Sequence, residues 1–316
     1  MKIFSWANTD FLFEKKLAKH FYDIEKFKVD HDKDWFTSKK SYLKEFRHIG
    51  RLIKQILSIE ADVPIVLFGT NLCRILYPFI YRRINVFFVF NELPCLDQNK
   101  LLFLFDRKIF RSKNSQVFVS SKERSELCCR NYNCESIKVL PNIPVFKHRE
   151  VSSKKLNHLV YAGLINRSRF NSDAINMLKN LKIEFHLLGK VIDEGLLAEI
   201  DSHQYLGEKT FTESQYLQSQ YRYALLSYGT TDLNNDYCAP IKIFEYIYSG
   251  CVCITINKNV GLQRYLKLYP NLFITLSEFT EYQYNEEKYQ NEKEIFFKNE
   301  MDVLTQAIND ILKQSL

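Results

Sequence analysis

The sequence predicts an α/β protein made of two doubly wound halves, and three observations carry that expectation. Its 316 residues exceed what one hydrophobic core ordinarily fills, about 250 residues. Short unbroken apolar runs, the mark of strands buried on both faces, alternate with segments of helical periodicity. The alternation is interrupted near residue 150 by a polar stretch and then restarts.

Each element follows in order. A strand is expected over 2–7, then a helical stretch carrying Phe11, Leu12, Leu17 and Phe21. A helix over 51–59 precedes the apolar run 63–68, which Gly69 closes. A second helix, 72–80, leads to the run 86–90. Residues 116–120 read as a strand, and Ser120 or Ser121 suits the N-cap of the helix after it. The run 137–140 stops at Pro141, and Pro141-Asn142-Ile143-Pro144 with the polar stretch 147–157 reads as a linker. The pattern resumes with strand 159–162, helix 172–181, strand 183–188, helix 213–221 and strand 223–227. Helix 240–249 and strands 251–256 and 272–276 complete it. Segment 278–300 is charged and poorly patterned. Val303, Leu304, Ala307, Ile308, Ile311 and Leu312 then recur at helical spacing. The expected domains are 1–150 and 151–316, with the terminal helix 301–316 able to pack back on the first.

Composition narrows the function. Hydrophobic residues at 46% and charged residues at 26% exclude wholesale disorder. No window of about 18 residues is apolar and free of charge, and the N-terminus lacks the long apolar core of a signal peptide, so a cytoplasmic protein is expected. None of the eight cysteines forms a CxxC pair, which removes support for a zinc ribbon or a redox motif and leaves reduced thiols. A net charge of +7 suits a phosphate-bearing ligand or an anionic membrane surface. Nucleic acid is not an expected partner, because no known binding module accompanies the charge. Arg82, Arg83, Lys100, Arg107, Lys108, Arg111 and Lys113 are interleaved with Phe and Leu. They suit contact with anionic lipid, or equally a solvated helix face.

Ligands of open α/β sheets bind beyond the carboxyl ends of the strands, so the loops there carry the chemistry. The richest segment, 230–250, reads TTDLNNDYCAPIKIFEYIYSG. Pro240 suits a first helical turn, and Cys238 and Ala239 before it are poor caps, which leaves amides free for an anion. Lys242 and Glu245 share one face, placing an ammonium near a phosphate and a carboxylate one turn deeper near sugar hydroxyls. A surface ion pair is the competing reading, and spacing alone leaves both open. In the first half, Glu92 at the end of strand 86–90 is placed to act as a general base, or to pair with Lys100 or Arg107. Asp10 is a second candidate base. His20 reads as a solvated or hydrogen-bonded helix residue. Asp30, Asp32 and Asp34 form overlapping Asp-x-Asp patterns that suit Mg²⁺ or Mn²⁺, but their lysine-rich setting reads as a solvated loop.

The segment PIKIFEYIYSGCVCIT resembles the Pro-x-Lys-x-x-Glu-Tyr-x-x-x-Gly stretch of nucleotide-sugar glycosyltransferases of the GT-B fold, group-one and family-four-like. LVYAGLINRSRF resembles the strand and basic loop that open the donor domain of that family. FVSSKERSELCCRNY followed by IKVLPNIP resembles the end of the acceptor domain. HLLGK and YLGEKTFTESQYLQSQYRYALLSYG hold the expected places between, and the likeness is good over 115–260.

The resemblance implies two Rossmann-like domains facing a central cleft, acceptor domain first and donor domain second. It implies transfer of a sugar from a nucleotide diphosphate, UDP favoured over GDP, to a glycan or lipid-linked saccharide. A bacterial surface-polysaccharide role is implied, with no cofactor and no metal. By position, Glu245 is expected on the ribose, and Lys242 with the amides near Pro240 and Ile241 on the diphosphate. Arg167 and Arg169 are expected to stabilise the departing diphosphate. Gly163 and Gly189 would admit the ligand to the backbone, and Lys190 with loop 207–211 would lie near the base. Tyr237 stands where many retaining members carry a second Glu, so stereochemistry stays open; Asp232 and Asp236 are the nearest substitutes. Two alternatives remain: a nucleotide-sugar 2-epimerase of the same architecture, and a non-catalytic donor-binding subunit of a synthase. Oligomeric state is open.

Overall fold

The computed structural model divides into two compact units, Met1–Asn142 with Met301–Leu316, and Ile143–Glu300. The boundary falls inside Pro141-Asn142-Ile143-Pro144 rather than at 150. The structure describes residues 1–5, 11–17, 19, 25–28, 41–96, 100–135, 137–146, 154–181, 183–200, 205–228 and 232–315. Asp10, His20 and the Asp30, Asp32, Asp34 cluster lie outside the described residues.

The first unit runs β1 (Lys2–Ser5), α1 (Leu12–Leu17), β2 (Glu25–Lys28), α2 (Ser41–Leu57), β3 (Ile65–Phe68), α3 (Thr70–Ile80) and β4 (Val86–Phe90). A 3₁₀ turn at Pro94–Leu96 leads to α4 (Lys100–Phe110), β5 (Ser115–Val119), α5 (Lys122–Tyr132) and β6 (Lys138–Val139). Among the described residues the strands form one parallel sheet in the order β2-β1-β3-β4-β5-β6. Every residue of β3 and β4 is buried, as helices on both faces require.

Three elements depart from the sequence reading. Helix α2 starts at Ser41, ahead of the expected 51. Helix α4 was not foreseen because Leu101, Leu104 and Phe105 are exposed, which blurs its apolar face. Strand β2 has a single apolar residue, Phe27, and sits at the sheet edge. Ser121, not Ser120, caps α5, accepting from the Arg124 amide at 3.3 Å.

Arginines brace this unit from within. Arg74 makes a two-point contact with the fully buried Asp106, Nε to Oδ1 at 2.9 Å and Nη2 to Oδ2 at 2.6 Å, joining α3 to α4. Arg83 donates to the carbonyls of Ile59, Glu60 and Val63, so its charge serves the β3 approach rather than a surface patch.

The second unit opens with β7 (Leu156–Ala162), α6 (Ser172–Lys179), β8 (Phe185–Leu188), α7 (Gly195–Ile200) and α8 (Phe211–Gln218). It continues through β9 (Tyr221–Leu226), α9 (Leu233–Asp236), α10 (Ile241–Tyr248), β10 (Val252–Thr255), α11 (Val260–Leu268) and β11 (Phe273–Thr275) to the first half of α12 (Glu286–Ser315), whose residues from Met301 on belong to the first unit. The parallel sheet has the order β11-β10-β9-β7-β8. Strand order thus reverses between β7 and β9, the point at which doubly wound sheets open a crevice for ligands.

Segment 286–300 is helical, contrary to its poor patterning. Its inward residues include Tyr289 and Phe296, widely spaced among charges, so the period is hidden. Phe296 lies among the rings of Phe244, Tyr265, Tyr269 and Phe273. The Tyr289 hydroxyl bonds to the carbonyls of Ile247 and Cys251.

Candidate active site

The carboxyl ends of β7 and β9 and the start of α10 enclose a cavity of about 220 Å³. Tyr161, Gly163, Arg169, Tyr228, Lys242 and Tyr246 are among its lining residues. The Tyr246 hydroxyl accepts from the Ala162 amide at 2.9 Å, which ties α10 to the end of β7. Burial holds the Tyr246 and Tyr228 phenols well above their ordinary pKa, so both stay neutral.

Pro240 is the N-cap of α10, with φ −73° and ψ 149°, rather than its first helical residue. Its carbonyl takes the Ile243 amide at 3.1 Å, and no side chain caps the first turn. The first-turn amides therefore have no side-chain acceptor, and the dipole of α10 favours negative charge at this end. Lys242 lines the cavity and meets Glu245 Oε2 at 2.6 Å. The ion pair foreseen as the competing reading is present, yet it is not a surface pair, because Glu245 is only 4% exposed. Removing the lysine from such a pair would leave a buried charge uncompensated, which is costly; Glu245 itself is not among the residues that line the cavity.

The two candidate arginines part company. Arg169 lies with its guanidinium carbon 3.8 Å from the Tyr228 ring centroid. Its amide is held by Asn166 Oδ1 at 3.1 Å, and its carbonyl accepts from Ser227. Its Nη1 is buried with no hydrogen-bond partner among the described residues. Arg167 instead donates through Nε to Asp193 at 3.2 Å and through Nη1 to Glu199 at 2.7 Å, and a second contact joins Nη2 to Glu199. Bonding to Glu199 and then Asp193 raises the Arg167 pKa, and the same contact holds the Glu199 carboxyl below its usual range. Arg167 is thus occupied on the protein surface and does not line the cavity.

Other candidates are also redistributed. Gly189 has φ +133°, and a Cβ there would sit 2.0 Å from the Gly163 carbonyl oxygen. This close backbone approach by itself requires glycine at that position. A Cβ on Gly163 would meet the Tyr161 hydroxyl at 3.0 Å. Lys190 is exposed, and its carbonyl accepts from Ile165. Glu92 is exposed in the loop after β4, and Arg124 donates to the carbonyl of the preceding Asn91. Asp232 caps α9, accepting from Asn234 N and Asn235 Nδ2, both at 2.9 Å. Asp236 accepts from Val260 N at 3.1 Å at the start of α11. Both acids near Tyr237 therefore have backbone duties. Tyr161, Tyr228 and Tyr246, which wall the cavity, escaped the sequence reading because nothing separates them from the other tyrosines of a chain with 19.

No family model and no curated protein matches this sequence. Solved structures do match. HepE from Anabaena, in complex with UDP-glucose, is similar over 99% of both chains with a TM-score of 0.64 and 12% identity. TarM from S. aureus, in complex with fondaparinux, α-GlcNAc-glycerol and UDP, is similar over 84% of this chain with a TM-score of 0.56 and 10% identity. This chain spans 57% of TarM's length. The DNA-modifying enzyme β-glucosyltransferase is similar over 100% of this chain and 97% of its own, with a TM-score of 0.50 and 10% identity. Two doubly wound parallel-sheet units in one chain, matched in this way, define the class: the chain has the GT-B fold of glycosyltransferases.

Proposed function

We propose that the protein is a glycosyltransferase that moves a sugar from a UDP-sugar to a glycan or lipid-linked saccharide in bacterial surface-polysaccharide synthesis. One observation carries the reading. Arg169, with an unspent donor, and Lys242 converge on one cavity at the uncapped start of α10. Such a site favours a pyrophosphate, because fixed charge and oriented amides meet an anion without reorganising. HepE binds UDP-glucose and TarM binds UDP, which supports uridine as the base.

In this reading the amides of Ile241 and Lys242 and the Lys242 ammonium hold the diphosphate. Glu245 exchanges its lysine contact for the ribose hydroxyls. The acceptor oxygen bonds to the anomeric carbon as the bond to the β-phosphate oxygen breaks, and Arg169 takes up the charge developing on UDP. Glu92 or Asp10 removes the acceptor's proton. Lys190 and loop 207–211 lie toward the base. Transfer requires no metal.

Peripheral attachment to an anionic membrane is part of the proposal. Leu101, Leu104 and Phe105 are exposed on α4 beside Arg107, Lys108 and Arg111, the mixture that lipid headgroups and acyl chains accept. Among the described residues no helix is long and apolar enough to cross a membrane.

A second reading, a donor-binding subunit without turnover, is favoured by the engagement of Asp232 and Asp236 in backbone caps. Thermal shift against UDP, GDP, ADP and their sugar conjugates tests the binding common to both. UDP at a hundredfold excess over Kd should stabilise by about 2.7 kcal/mol. Equal melting temperatures with every nucleotide would remove the proposal. Sugar release or transfer from the stabilising donor then separates enzyme from subunit.

A further inference from the structure

We infer that the amino end of the second sheet carries a zinc-class divalent metal site formed by His158, Glu184 and His186. The site is separate from the cavity. His158 precedes Ala162 by four strand residues, about 13 Å at the usual strand rise.

Register brings the three together. Leu159 pairs with Phe185 and Val160 with His186 on neighbouring strands, so His158 stands opposite Glu184. Alternation along each strand then puts His158, Glu184 and His186 on one face of the sheet. The carboxylate bridges the two imidazoles: Glu184 Oε2 lies 3.2 Å from His158 Nε2, and Oε1 lies 2.9 Å from His186 Nε2. One ligand atom from each residue falls within 4.8 Å of the others. Ligands bound tetrahedrally at 2.0–2.1 Å stand roughly 3.4 Å apart, a spacing within the range these atoms already cover, so side-chain shifts of about 1 Å admit an ion.

The surroundings suit that use. Tyr221 places its hydroxyl 2.8 Å from His186 Nδ1, fixing the ring so that Nε2 points at the carboxylate. This is how protein groups behind a metal ligand orient it. Two imidazoles and one carboxylate match zinc, whereas magnesium and calcium prefer oxygen alone. Glu184 is half exposed, which leaves a fourth position for water. Among the described strands β8 is the sheet edge and pairs with β7, while Tyr205 adds a single parallel bridge to Leu187 on its other side. An ion here would cross-link β7 to β8, a structural role that leaves metal-free sugar transfer unaffected.

The test uses the full chain stripped with chelator and titrated with ZnCl₂, followed by calorimetry and melting temperature. MgCl₂ serves as the control ion. The expected result is one zinc per chain that is lost in the His158→Gln/His186→Gln double variant. Zinc at a hundredfold excess should raise the parent's melting temperature by roughly 5–10 °C and leave the variant's unchanged. Thiol-bound zinc would survive these substitutions. Equal stoichiometry and equal thermal response in parent and variant would therefore overturn the site, as would absence of zinc binding by the parent. Should the double variant fail to fold, the exposed Glu184→Gln variant carries the same expectations.

Discussion

Two helices that follow strands begin differently, and the difference separates structural from functional charge. Helix α5 opens on Ser121, whose hydroxyl takes the Arg124 amide, and Arg124 itself donates to the Asn91 carbonyl. Helix α10 opens on Pro240 with no side-chain cap, beside Lys242 and Arg169. Three arginines of the first unit spend their terminal nitrogens on the protein itself: Arg74 on Asp106, Arg83 on three carbonyls, Arg124 on a loop. In the second unit Arg169 keeps a donor in hand. Positive charge marks a binding site only where its partners inside the protein fall short.

Each test below presses on that contrast, in descending order of effect. Arg74→Ala removes the cationic partner of the buried Asp106 carboxylate and should cost about 3–5 kcal/mol of stability, read by urea unfolding. Arg169→Ala should lower transfer by roughly 10²–10³-fold, as removal of one transition-state donor does, with melting temperature nearly unchanged. A large fall in stability with activity retained would turn Arg169 into another brace. Asp236→Ala removes a backbone acceptor at α11 and should cost about 1 kcal/mol without changing turnover. A smaller effect concerns acid. Thr275 holds the Glu278 carboxyl below its usual value, and Gln290 and Tyr284 do the same for Glu286. Depressed carboxyl pKa values contribute stability above about pH 4.3 that is lost as pH falls through the folded values. Melting temperature should therefore drop below pH 4.3, less steeply in Glu278→Gln. Least of all, Arg167→Ala should leave the melting temperature unchanged within error and transfer within twofold, since its partners are exposed acids.

The architecture was readable because strands buried on both faces have no polar alternation to confuse them; β3 and β4 are cases in point. The α10 segment was readable because Pro240, Lys242 and Glu245 hold the offsets of the family stretch it resembles, whereas their spacing alone left a surface ion pair equally open. Arg167 and Arg169 could not be told apart. They share a loop, and what removes one of them is Asp193 and Glu199, 26 and 32 residues away and set beside it by folding alone. The same holds for His158, Glu184 and His186, which no local spacing joins and only strand register assembles. Helix α4 was hidden by its own exposed Leu and Phe residues.

The central claim is that α10 opens on a pyrophosphate. A crystal structure of the protein grown with UDP tests it most directly. The expected density has the two phosphates against the Ile241 and Lys242 amides and the Arg169 guanidinium, with the ribose on Glu245. UDP bound away from α10, with the Lys242–Glu245 pair undisturbed, would contradict it.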